Sequence, residues 1–559
     1  MLKLLLSSIL VCLSISASAQ YYGWSKSMGG SGADTCAALA VDNQANLYIL
    51  GSFTGTGEFR NDTISDKLTS SGNDDIFLQK RTKKGKYIFS KKIGGKGIDR
   101  PNSMIYYKDA LYISGNIEDT VDFGIEKVAP KGKRSVFIAK MDTLGKCIWV
   151  KTIGDSALSR ARSLAINKDG IYLSGEISGK VDNISLNNAM FIQKRDFNGT
   201  VVWTKTFGSK RNVLSNALAL DSLGNIYNVG ALLGANVDFN PASNKDSILS
   251  TTAANTSDIF VQKLSANGDF KWTFKMGSTT SDEATSITIK GDELYIAGNF
   301  SSTVDFDPSS TGVSNLKIVG GTKDIFVGKY DLNGKFIWIK QIGSASEESA
   351  KQLEIDKYKN VYLCGTFSTK NGTTTDFMGI ALKTPGNSDA FLVKFNSTGK
   401  AVFARTFSGS GADFSGAIKA DTMQNIYVAG TFTGTINLDP TNTFTSTGTN
   451  DVFIFKSLLL ADSDGNNGNG NGTSFITDNY LHVNLYPNPV SDKVYFTFDQ
   501  LTESATIAIS TISGQTIKSK ELAIGQISDS FEMQDLTPGI YFVNITSGKN
   551  MYTYKLNKL

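Results

Sequence analysis

Histidine occurs once among the 559 residues, at His482 near the C-terminus. Histidine-based triads and histidine metal clusters are therefore absent from the body of the chain. Cysteine is equally sparse. Cys12 lies in the N-terminal apolar run, and Cys36, Cys147 and Cys364 lie in strand-like segments (TCAALAV, KCIWV, VYLCG). Three scattered thiols form neither a disulfide framework nor a zinc site, and are expected to be small buried core residues. No phosphate-binding loop or dinucleotide fingerprint stands in a strand–helix context. Carboxylate chemistry is what remains. Paired Asp and Glu serve glycoside hydrolysis when they flank a bond, and sequence leaves their separation open. Asp34, Asp99, Asp282, Glu283, Glu347, Glu348 and Asp413 occupy links between recurring units, with Arg160, Arg162, Lys210 and Arg211 standing there in the third and fourth units. A surface acidic on one side and basic on the other suits a polar or zwitterionic ligand, or a cation. Solvated turns are the plain alternative. VDFNP at 237, VDFDP at 304 and INLDP at 436 set Asx oxygens at alternate positions. Calcium bound by Asp305 and Asp307 competes there with an Asx-Pro turn ending a short strand. No other cofactor is expected.

These residues must be positioned by the repeat itself. An aliphatic-Tyr-x-x-Gly pattern recurs as LYILG at 47, LYISG at 111, IYLSG at 171, IYNVG at 226, LYIAG at 294, VYLCG at 361 and IYVAG at 426. Each is followed by a second pattern, such as DIFL at 75 or DAFL at 389, and by a third, such as WVKTIG at 149 or FARTFS at 403. Short segments such as ALAVD (38–42) precede the tyrosines. Four strand candidates per unit, joined by polar and glycine-containing turns and free of helical periodicity, describe a propeller blade. The expected fold is all-β: a seven-bladed β-propeller over 20–460, followed by a small immunoglobulin-like β-sandwich. In LYILGSF both faces are apolar, as stacked blades require. A lone fourth-strand motif opens the chain at Trp24, and the seventh unit ends at its third strand. Seven full units therefore need the Trp24 strand to complete the last one. Second-to-third-strand loops carry most of the length variation and emerge on the same face as the links between units, which makes that face the expected binding surface. GGSGADTCAALAVDNQANLYILGSF and its six relatives resemble the bacterial SBBP-type β-propeller repeat, departing from it at GDSALSRARSL and GSKRNVLSNAL. The resemblance implies fold and says little about activity.

The ends of the chain read as addresses. Residues 1–19 form a signal peptide: Lys3, an apolar stretch from Leu4 to Ile15, and Ala17-Ser18-Ala19 before the cut. That stretch is too short to cross a bilayer, and Val11 does not suit lipidation at Cys12. No other apolar run suggests a membrane span. A net charge of +4 from 56 basic and 52 acidic residues leaves no footprint for nucleic acid. Residues 461–479 are a flexible linker rich in glycine and asparagine. Residues 480–559 hold seven short strand candidates, among them KVYFTFD, ATIAISTI and GIYFVNIT, which suggest a sandwich. Tyr486 with Pro487-Asn488-Pro489, Ile512-Ser513-Gly514-Gln515, and Leu536-Thr537-Pro538-Gly539-Ile540-Tyr541 resemble the type A C-terminal sorting domain of the type IX secretion system of Bacteroidetes. Its prolines also read as breakers before the first strand. The resemblance implies passage through the secretion machinery and a secreted, extracellular or outer-membrane-surface location. A non-catalytic binding or scaffold propeller is the expected function, with a glycan or protein as partner. The alternative is a secreted polysaccharide-acting enzyme using carboxylates on the loop-rich face.

Overall fold

The computed structural model describes residues 22–59, 66–154, 159–181, 184–208, 210–240, 247–368, 375–382, 384, 388–439, 442–457, 483–486, 490–498, 504–511, 515–524, 526, 528–547 and 550–559. The expected signal peptide, the linker, and Pro487, Asn488, Pro489 and Gly514 lie outside these residues. Every regular element described is a β-strand. No helix among the described residues is long and apolar enough to cross a membrane. The chain divides into Tyr21–Asp462 and a second unit that includes Ser463–Leu559.

Within Tyr21–Asp462 the repeat forms antiparallel sheets among the described residues, five of four strands and two in which four such strands are extended to six. In the first, Thr35–Val41, Leu47–Phe53, Asp75–Arg81 and Tyr87–Ile93 pair in chain order. In the last, Phe414–Ala420, Ile426–Phe432 and Asp451–Ser457 are joined by Tyr22–Gly30 from the opposite end of the described chain. Ser25 stands opposite Phe455 in that pairing, and Met28 opposite Val452. The strand holding Trp24 thus sits where the repeat arithmetic needs it.

Burial follows strand order. All seven residues of Leu47–Phe53 and of Ile226–Leu232 are buried, as are all of Asp389–Phe395. Fourth strands such as Phe336–Ile342 are mostly half-buried. Apolar cores form between neighbouring units rather than inside them. Tyr48 and Leu50 pack with Met104 and Ile113 of the next unit, and Met28 and Leu39 pack with Tyr427 and Ala429. First strands pack on first strands from unit to unit, and Phe414–Ala420 packs on Thr35–Val41.

The three sequence patterns meet in one transverse row. Tyr48, Lys80 and Phe89 lie opposite one another across three strands, as do Tyr295, Lys329 and Trp338. In every unit the lysine ammonium lies over the tyrosine ring, 4.7 to 5.8 Å from its centre. Tyr112 and Trp149 meet at 6.3 Å, edge to face. The polar turns anchor this row. Asp42 accepts the N–H groups of Gln44 and Asn46, and its other oxygen accepts the Asn46 amide and the Tyr48 hydroxyl. Asp221, Asp356 and Asp421 repeat the arrangement. The lysines then reach the neighbouring unit: Lys80 donates to Thr143 O, Lys263 to Leu332 O and Lys456 to Lys83 O. Glycines 85, 145, 199, 268, 334 and 399 turn the third strand into the fourth at φ between 76° and 84°, a region that suits glycine.

Among the described residues the tail has seven strands in two sheets, one of three and one of four. Val494, Phe496 and Phe531 of the smaller sheet share a core with Ile507, Ile509, Val543 and Ile545 of the larger. The Tyr541 hydroxyl donates to Thr537 O at 2.8 Å, and this holds the start of the Gly539–Ser547 strand.

Candidate functional site: the channel between the first strands

The glycine of each aliphatic-Tyr-x-x-Gly pattern lies against the first strand of its own unit. A Cβ on Gly51 would collide with Thr35 O, and one on Gly298 with Glu283 O. At this close approach the first strand takes an extra residue. The register shifts between Cys36 and Ala38, between Ala161 and Ser163, between Ala350 and Gln352, and at the equivalent place in the other four units. Such a bulge re-aims a side chain out of the sheet. The seven extra residues are Ala37, Asn102, Arg162, Asn216, Thr285, Lys351 and Gly416, and all line one channel of about 750 Å³ to which every first strand contributes.

Many polar groups around this channel are already committed. The Ser163 hydroxyl accepts from Leu218 N, Ser286 from Leu353 N, and the Gln352 side-chain carbonyl from Ile418 N. These bonds stitch one first strand to the next. Among the charged lining residues, Glu354 pairs with Lys419 at 2.7 Å, and Arg162 pairs with Glu176 at 2.8 Å. The Asn299 amide donates to Glu283. Lys351 is exposed and makes no hydrogen bond or ion pair among the described residues. Among the described charged residues that line the channel, its ammonium is the uncommitted one.

The carboxylates singled out from sequence fall elsewhere. Asp34, Asp99, Asp282, Glu348 and Asp413 are 0 to 1% exposed. They hold the links between units: Asp34 accepts from Gly30 N, Asp99 from Gly95 N, Asp282 from Ser278 N, and Glu348 from the Ser344 hydroxyl. Burial, with the charge of Asp451 added, pushes Asp34 up to about 7. Burial does the same to Asp99, helped by Asp75, and to Glu348, helped by Asp324. Glu347 is exposed and accepts the Thr322 hydroxyl, while Glu283 lines the channel. The seven therefore do not converge on one pocket.

On the basic side, Arg162 and Arg211 both reach Glu176, which is 2% exposed, at 2.8 and 3.7 Å. Burial lowers the Arg160 pKa, with Arg162 and Arg211 adding to the effect and Glu176 opposing it. Glu176 was legible as a departure: the residue after the patterned glycine is Ser52, Asn116, Ala231, Asn299, Thr366 or Thr431 in the other units. Asp305 accepts Asp307 N at 3.1 Å and Ser314 N at 2.8 Å, the bonding of a turn, and Asp238 does the same with Asn240 and Ser247. Cys36, Cys147 and Cys364 are buried, and burial pushes their thiols up to about 12, 11 and 12. They are poor nucleophiles there.

The comparisons with known proteins bear on the tail first. Residues 484–558 match the family model of the secretion system C-terminal sorting domain. The tail is a sorting domain. It addresses the chain to the type IX machinery, and so to the cell surface or the extracellular space. The chain also has distant relatives. An uncharacterized WD repeat-containing protein of Acanthamoeba polyphaga mimivirus is 23% identical over 412 residues, 61% of this chain and 29% of the relative. Regulatory protein FlaEY of Caulobacter vibrioides is 23% identical over 213 residues, 36% of this chain and 21% of its own length. The chain thus spans under a third of the curated relatives it matches. Among solved structures, Sqt1 from Chaetomium thermophilum aligns at 10% identity over 74% of this chain and 97% of its own, with a TM-score of 0.39. Phage phi92 endosialidase aligns at 8% identity over 83% of this chain and 73% of its own, with a TM-score of 0.34.

Proposed function

We propose that Tyr21–Asp462 is a closed seven-bladed β-propeller of the SBBP-repeat type, delivered by its sorting domain to work outside the cell as a non-catalytic binding protein. The ligand enters the channel between the first strands. The observation that carries this reading is the bulge ring, which turns one residue per unit toward a shared space and leaves Lys351 without a partner. An ammonium on rigid strands, in a channel also lined by the Asn102 amide, suits a carboxylated or sulfated glycan better than a neutral one. Binding is favoured over hydrolysis because Glu354, a channel carboxylate, is tied to Lys419. A general acid paired with a base needs two carboxylates free to face the bond.

A glycan array of neutral, uronate-bearing and sulfated polymers, read with a hydrolysis assay on the same polymers, tests this. The expected outcome is binding to the acidic set without products, weakened about tenfold in Lys351→Gln, a loss of ~1.4 kcal/mol. Melting of that variant should match the parent. Products, or binding that ignores Lys351, overturn the reading.

A further inference from the structure

At five junctions between units, the acid that begins a third strand stands beside the acid of the following link. The pairs are Asp75 with Asp99, Asp258 with Asp282, Asp324 with Glu348, Asp389 with Asp413 and, across the chain ends, Asp451 with Asp34. Backbone pairing sets them side by side. The link acid donates its N–H to the carbonyl of the residue preceding the strand acid: Asp34 to Asn450 at 3.0 Å, Asp99 to Asp74 at 2.8 Å, Asp282 to Ser257 at 2.7 Å, Glu348 to Lys323 at 3.4 Å and Asp413 to Ser388 at 2.8 Å. Where one acid is missing, so is the other. Ser135 and Ser159 take the places at the next junction, which keeps the same bond from Ser159 N to Arg134 O, and Ala189 and Val213 take them at the seventh. A carboxylate that merely pinned its own loop would not need to track a residue on another strand.

All ten side chains are 0 to 4% exposed. Backbone N–H groups serve most of their oxygens, such as Ser71 N on Asp75, Thr252 N on Asp258, Val319 N on Asp324 and Thr447 N on Asp451. Yet Oδ1 of every strand acid is buried without a partner, as are Oδ1 of Asp34, Oδ2 of Asp389 and Oδ2 of Asp413. Cationic neighbours do not account for the pattern. Lys92 stands 3.7 Å from Asp75 and Lys275 2.7 Å from Asp258, but no ion pair reaches the other three pairs among the described residues. Asp119 acts on Asp99 and Glu347 on Glu348, and both are negative. Two adjacent buried carboxylates cannot both ionise cheaply. One proton turns a facing pair into an O–H donor and an acceptor, which satisfies an orphan oxygen and removes the repulsion together.

We propose that each of the five pairs shares one proton, a carboxylic acid donating to a carboxylate, and that these shared protons lock the junctions between units. The proton comes from solvent on folding and returns to it when the lock opens. Native carboxyls raised from about 4 to about 7 hold protons that the unfolded chain has released. Their contribution to stability is therefore fully present below about pH 4 and is lost as pH rises through about 7.

Infrared difference spectra of the full chain between about pH 6 and about pH 9, with melting temperatures at both, test the proposal. A protonated-carboxyl C=O band is expected at the lower pH and should vanish at the higher, and the melting temperature should fall across the interval. Asp413→Asn keeps a donor toward Asp389, so it should remove one of the five groups from the band and reduce the fall. Calcium and EDTA should change neither reading. Absence of the band in the parent chain overturns the proposal whether or not the variant folds. A melting temperature raised by calcium at the higher pH and lowered by EDTA also overturns it, and assigns the pairs to a cation.

Discussion

A lysine at a fixed place in each third strand, Lys80 in the first unit and Lys456 in the last, lies on a buried tyrosine and spends its ammonium on a neighbouring turn. Alone, a buried ammonium is costly. Here the ring face, a carbonyl of the next unit and the turn aspartate share the desolvation. Lys456 is 7% exposed, and Asp421, 3.8 Å away, is fully buried. Lys456→Ala should therefore cost about 3–5 kcal/mol, as breaking a buried pair does, with Lys456→Met costing less because the stem still packs. Urea denaturation of both variants checks this, and equal losses would contradict it. Glycine has a separate role. Gly51→Ala would press a methyl group against Thr35 O and Phe77, so a loss of about 1–3 kcal/mol is expected. Because that contact makes the bulge, the same variant should disturb ligand binding even where it remains folded.

At the scale of elements, Tyr22–Gly30 ties the two ends of the repeat together. It is a fourth strand for a unit otherwise built from Phe414–Ala420, Ile426–Phe432 and Asp451–Ser457. The Trp24 indole and the Lys456 ammonium both donate to Lys83 O, so one carbonyl of the first unit holds two strands of the last. Deleting residues 21–30 should uncover Val452 and Ile454 and lower the melting temperature sharply, as scanning calorimetry would show. An unchanged melt would mean that the junction is not cooperative with the rest. Removing the turn at Asp421 is milder. Asp421→Ala leaves the Tyr427 hydroxyl and the Asn425 amide without their shared acceptor, for an expected loss of about 1–3 kcal/mol.

For the whole molecule, address and binding body are separable predictions. A chain ending at residue 462 lacks the sorting domain but keeps every strand of the channel. It should retain the main calorimetric transition of the full chain and fail to reach the culture medium or cell surface. Fractionation of expressing cells reads the second outcome. Surface delivery of the shortened chain would show that another part of the molecule carries the address.

The sequence by itself determined the strand content, the sevenfold repetition, the turn chemistry, the burial of Cys36 and its relatives, and the sorting tail. Each of these rests on local pattern, since alternation, glycine at positive φ and Asx turns act over a few residues. It also determined that Trp24 must find a partner, because repeat units can be counted. Tertiary structure alone decided what the acids do. Asp34, Asp99 and Asp413 read as surface charge because links between units are usually wet, but backbone pairing with the third strand of the unit before the link draws them inside, against Asp451, Asp75 and Asp389. It decided the channel as well. Ala37, Asn102 and Lys351 look unrelated in the chain, and they line one channel because a glycine on the neighbouring strand lets the backbone close in and bulge. Contacts between strands set both results, and the local pattern of a single strand encodes neither.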